Sequence, residues 1–192
     1  MTLVRVAAPA TDVISLAEAK AHLRVDFSDD DTLISGLIAA AISHVDGKGE
    51  LGRAMITQTW AQWVSQAPGW VRLRMGPFQA LTSVEYYDTD NVLQTATLSD
   101  FETRLDGDFV ICKPKEDFEW PSAETRADAI KITYTAGFGD AATDVPQGIR
   151  QALLMLVAHW YENREAASEV KLNDLPRAVD ALLGNERVSW YG

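Results

Sequence analysis

The chain has one cysteine, Cys112, so no disulfide can form within it. A reducing, cytoplasmic setting is the compartment that fits. Positive charge is also short: 17 Lys and Arg stand against 28 Asp and Glu, a formal net charge of -11 over 192 residues. Phosphate binding needs clustered Lys and Arg, so this balance makes a poor non-specific ligand for DNA or an anionic membrane. No apolar run approaches the length that spans a bilayer. The opening residues, MTLVRVAAPATDV, lack the long apolar region of a signal peptide. The expectation is a protein made and kept in the cytoplasm, or in a particle assembled there. Histidine is scarce, and His22, His44 and His159 each stand alone on a separate predicted helix. Neither a G-x-S-x-G elbow nor a Walker loop is present.

What is present is the composition of a globular protein, 47% hydrophobic and 23% charged, in a chain long enough for one or two domains. SLAE, from Ser15, is a capping box that opens a helix, LAEAKAHLR, broken at Asp26 and Phe27. Ser28 then opens a longer helix, with Asp29, Asp30 and Asp31 in the first turn where the helix dipole favours anions. Leu33, Ile34, Leu37, Ile38, Ala41, Ile42 and Val45 form its apolar stripe, and Gly47 ends it. Six short runs follow: MITQTWAQWV, WVRLRM, TSVEYYD, NVLQTATL, DFVICK and AIKITYTAGF. All are rich in β-branched and aromatic residues and read as strands. No crossover helix separates them, so the sheet is expected to be mainly antiparallel. Lys113 to Asp128 reads as a polar loop. Pro146 starts a helix with Asp144 as a nearby cap, and Pro176 to Leu183 makes a short one stopped by Gly184. The expected fold is α+β: a helical bundle from the N- and C-terminal helices, with an inserted, mainly antiparallel β domain. The boundaries follow as 1–54 and 142–184 for the helices, 55–141 for the β insert and 185–192 for a C-terminal tail.

Three stretches invite a chemical reading. GKGELG, Gly47 to Gly52, matches G-x-G-x-x-G letter for letter, but a dinucleotide fingerprint needs a strand before it and a helix after it. Here a helix precedes and a strand-like run follows. DFSDDDTLISGL, from Asp26, has the carboxylates of a calcium loop without its Gly at position six or its Glu at position twelve. His159 and Glu162 share a helix face, yet no third ligand lies at metal-binding spacing. Ile149, Leu153, Leu156, Val157 and Trp160 make a packing stripe there, with His159, Tyr161, Asn163 and Arg164 as its polar margin. Cys112, with no His near it in sequence, reads as a buried structural thiol. No carboxylate pair stands out, although so acidic a chain could hold one. The expected sites are therefore no catalytic residue, no cofactor and no metal.

Taken in order, these segments resemble the head–tail connector (adaptor) proteins of long-tailed bacteriophages and gene transfer agents. ISLAEAKAHLRVDFSDDDTLISGLIAAAISHVDGKGELGRAMITQTW resembles the family's N-terminal part. FQALTSVEYYDTDN resembles its first sheet hairpin. IKITYTAGFGDAATDVPQGIRQALLMLVAHWYENREA resembles its last strand, its Y-x-A-G-[FY] turn and its Pro-started helix. The likeness runs from Ile14 to Ala167.

The resemblance implies a structural role without catalysis. Such proteins form a ring of about twelve copies at the head vertex, a closed set of head-to-tail contacts. The ring sits between the portal protein and a stopper or tail-terminator protein, extends the DNA channel, and touches no membrane. An acidic channel suits DNA that passes without specific binding. The tail RVSWYG is the expected portal-binding element. Arg187, Trp190 and Tyr191 are its candidate contacts, because Trp, Tyr and Arg dominate interface hot spots. The alternative for Trp190 is that it folds back onto the chain's own helices. Two other functions stay open: a small enzyme with an unrecognised acid pair, and a non-catalytic ligand- or host-factor-binding module built on the β insert.

Overall fold

A computed structural model describes residues 2–65, 69–118, 120, 126–163 and 177–188. It is an α+β fold whose strands pair antiparallel. The chain divides into two compact units, Met1–Ala10 with Thr57–Gly137, and Thr11–Ile56 with Phe138–Gly192. The first is a β unit and the second a helical unit.

The helical unit starts where Ser15 and Glu18 form the capping box read from the sequence. The Glu18 amide donates to Ser15 Oγ at 3.2 Å, and the Ser15 amide donates to Glu18 Oε2 at 2.9 Å. That amide bond holds the Glu18 carboxyl below the usual carboxylate range. Helix α1 spans Leu16–Leu23 and ends on Arg24 in the left-handed region. Helix α2 is Asp31–Val45 with Asp30 at its N-cap, two residues later than its expected start. Ser28 and Asp29 are outside it, and no side chain caps it. Asp30 and Asp31 are instead held by partners: Tyr161 donates to Asp30, and Lys20 pairs with Asp31. Helix α3, Gln147–Glu162, follows Pro146 at its N-cap. Asp144 does not cap that helix. Its Oδ2 accepts the Ala141 amide at 2.9 Å and closes a 3-10 turn, Ala142–Asp144. Helix α4 is Arg177–Gly184. Ile34, Ile38, Ala41 and Val45 of α2 share one apolar core with Ile149, Leu153, Leu156 and Val157 of α3 and with Val179 and Leu183 of α4. Leu33, expected in the α2 stripe, is 38% exposed.

The β unit holds two sheets. The larger has the order β1-β2-β8-β4-β5, from Thr2–Ala7, Gln58–Val64, Ile130–Ala136, Phe78–Tyr87 and Leu93–Ala96. The smaller has the order β3-β7-β6, from Val71–Leu73, Phe109–Pro114 and Phe101–Asp106. Neither β1 nor β6 is among the strands read from the sequence. Pro114, expected in a loop, ends β7. Side chains alternate across the smaller sheet, because successive strand residues point to opposite faces. Val71, Leu73, Val110 and Cys112 are buried on one face. Arg72, Ile111 and Arg104 align in register on the other. The two sheets are joined by side chains acting as strand partners. Gln62, fully buried in β2, donates to the Arg72 carbonyl at 2.8 Å and accepts the Arg74 amide at 3.0 Å. Tyr134 in β8 accepts the Met75 amide at 2.9 Å, and burial pushes its hydroxyl pKa up.

Candidate functional site

Helix α3 carries the His159–Asn163 cluster, and its geometry is that of a helix end. Asn163 Nδ2 donates to the His159 carbonyl at 2.8 Å and caps the last turn. Trp160 is half-buried against the core and meets the His44 ring edge-on at 6.1 Å. The stripe is thus narrower than expected: Ile149, Leu153, Leu156 and Val157 are buried and Trp160 sits at its margin. Arg164 lies outside the described residues. Among the described residues, no three His, Cys, Asp or Glu side chains come together to hold a metal ion. No described helix is long and apolar enough to cross a membrane.

The glycine-rich stretch Gly47–Gly52 uses its amides on its own chain. Gly47 N donates to Arg53 O at 2.7 Å, Gly49 N to Asp46 O at 3.0 Å, and Leu51 N to Val45 O at 3.0 Å. A Cβ on Gly49 would lie 2.2 Å from the His44 carbonyl oxygen, so glycine is needed for the close turn and not for a phosphate. Asp46, 7% exposed, accepts the Met55 amide at 2.8 Å and ties the loop shut. Cys112 is buried, and burial alone pushes its thiol up to about 11.

The expected portal contacts divide. Trp190 and Tyr191 lie outside the described residues. Arg187 is held by its own chain: Nε donates to the Glu50 carbonyl at 2.9 Å, and Nη2 pairs with Asp180 at 2.9 Å and with Glu50 at 3.2 Å. Val188 is buried and donates its amide to the Leu51 carbonyl at 3.0 Å. Folding therefore fixes the chain as far as Val188, two residues into the RVSWYG segment.

Two surface features of the β unit went unread in the sequence. On the open face of the smaller sheet, Trp70, Glu102, Arg104, Ile111 and Lys113 line a groove of about 360 Å³. Trp70 is 57% exposed. Lys113 pairs with Glu102 at 2.6 Å and holds that carboxyl below its ordinary range. The second feature is the β4–β5 hairpin tip. The Asp88 carboxylate accepts the amides of Asp90 at 3.0 Å and Val92 at 2.9 Å, and the Gln94 side chain at 2.8 Å. Those bonds lower its pKa, the Val92 amide foremost. Arg126 lies 3.6 Å over the Tyr87 ring, pairs with Asp128 and donates to Asn91. The braced tip leaves Val92 and Leu93 half exposed. Period-two alternation in WVRLRM and DFVICK was the available signal. It sets Trp70 with Arg72, and Ile111 with Lys113, each pair on one face.

Residues 12–172 match the head completion protein family. The chain belongs to that family. The resemblance to head–tail connectors drawn from Ile14 to Ala167 is thereby borne out. The fold is also that of solved particle proteins. A chain from the virion of a native gene transfer agent particle superposes with a TM-score of 0.77 at 22% identity, covering 98% of this chain and 96% of that one. A chain from the neck of an empty particle, at C6 symmetry, gives the same values. One from the neck of a native particle, at C12 symmetry, gives 0.71 at 20% identity over the same shares. No curated protein sequence matches the chain.

Proposed function

We propose that this protein is a structural head–tail connector of a phage-like particle, a gene transfer agent or a phage. Copies form a ring in the particle's neck, between the portal protein and the stopper or tail-terminator protein, and extend the DNA channel. The observation that carries the reading is the family match over residues 12–172. The likeness of fold to neck proteins of gene transfer agent particles supports it. In this reading the N- and C-terminal helices form a bundle, the β unit is an insert, and the last residues bind the portal. The role needs no catalysis, cofactor or metal. DNA passes the ring without specific binding, in keeping with a net charge of -11.

The deciding experiment mixes purified protein with its portal and images the product by negative stain. Ring-on-ring density is expected; portal particles left bare at micromolar protein would overturn the reading. A chain ending at Val188 tests the tail. It keeps the Arg187 and Val188 contacts with Glu50, Asp180 and Leu51. The expected outcome is an unchanged melt with loss of co-sedimentation with portal. Full-strength binding by that chain would remove Trp190 and Tyr191 as contacts.

A further inference from the structure

This inference rests on the ring reading above. A ring of identical copies is a heterologous assembly, so each copy needs two different patches that fit each other. The copies are also strongly acidic, and like charges oppose their approach. A contact that sets opposite charges together locally offsets that repulsion.

The β unit carries such a pair of patches on its two sheets. One is the groove on the smaller sheet: Trp70 and Ile111 give it apolar surface, and Arg104 and Lys113 outnumber Glu102 in charge. The other is the hairpin tip of the larger sheet: Val92 and Leu93 are 52% and 50% exposed, beside the acidic Asp88 and Asp90. The tip is already rigid. Asp88 fixes the turn with three hydrogen bonds, and Arg126 clamps it through Asn91 and the Tyr87 ring. A preformed knob loses little conformational freedom on docking. An exposed Trp in a groove with a basic rim is the kind of anchor on which interface energy concentrates.

We propose that the β4–β5 hairpin tip of one copy seats in the Trp70–Ile111 groove of the next, with Asp90 facing Arg104 and Lys113, and that this contact closes the ring head to tail. The occupant is a second copy of this chain. The knob and groove form the centre of the contact, and the surrounding surface completes it.

The test uses the full chain on its portal. Val92→Cys and Lys113→Cys are placed in one chain, both at exposed positions. Cys112 is buried with its thiol held protonated, so it does not interfere. After assembly and a short thiol cross-linker, the double variant is expected to run as a ladder of covalent multimers, while each single variant stays monomeric. Arg104→Glu is expected to abolish rings without changing the melt, and adding Asp90→Arg to restore them. Rings visible in the microscope without a ladder, or a wild-type ring yield from Arg104→Glu, would overturn the contact and leave the connector reading standing. If wild-type protein forms no ring on portal, both fall together. Loss of DNA binding in Trp70→Ala with rings intact would assign the groove to nucleic acid and also overturn the proposal.

Discussion

The two units treat their large apolar side chains differently. In the helical unit most of them are buried in or packed against one core, and among the described residues only Phe27 and Leu33 are exposed. In the β unit Val4, Val6, Trp70, Val92, Leu93, Leu98 and Leu105 are exposed, and the seam between sheets is closed by polar side chains. The contrast teaches that strands with one face buried and the other wet leave more apolar side chain in water than helices packed around a shared core.

Five substitutions break or sharpen that contrast. Leu153→Ala, at a fully buried position of α3, is expected to cost about 3–4 kcal/mol in denaturant melts, through lost burial and the cavity left behind. Gln62→Leu leaves the Arg72 carbonyl and the Arg74 amide without their side-chain partner, and about 2–3 kcal/mol should be lost. A cost near zero would mean that the seam is held by packing alone. Trp160→Ala is expected to cost about 2 kcal/mol, less than a core Trp, because that ring is half-buried. Ser15→Ala should cost about 1 kcal/mol at neutral pH. Glu18 has a lowered folded pKa, so its contribution is present above the unfolded value and fades as pH falls through the folded one. The gap between Ser15→Ala and wild type should therefore narrow in acid melts. Leu93→Ser should leave the melt within about 0.5 kcal/mol of wild type, the range of surface changes. A larger drop would show that the hairpin tip belongs to a core and not to an interface.

Legibility in the sequence followed the range of the interactions. The Ser15 capping box lies within four residues and forms as read. The stripes of α2 and α3 are local periodicities and identify most of the core. Strand β6, FETRLD, escaped because it is a wet edge: Glu102, Thr103, Arg104 and Leu105 are all exposed, and no alternation survives. Strand β1 escaped because it pairs with β2, far along the chain, and four of its last five residues are exposed. The start of α2 was misplaced because Asp30 and Asp31 bind Tyr161 and Lys20, partners on other helices. The groove was illegible for the same reason: Trp70, Arg104 and Ile111 meet only when three strands pair. The family resemblance was legible because it is written in ordered local motifs, Ile14 to Ala167.

Gln62 has a consequence for how this protein can change over generations. Its neighbours Ala61 and Trp63 fill space, and what they constrain is volume alone. Position 62 answers a donor and an acceptor at once, at fixed reach. Asn is one methylene short, Glu keeps the acceptor but loses the donor, and Leu supplies neither. The tolerance of strand β2 to mutation is therefore limited in two ways, by hydrogen-bond reach at Gln62 and by volume at the fully buried Ala61 beside it.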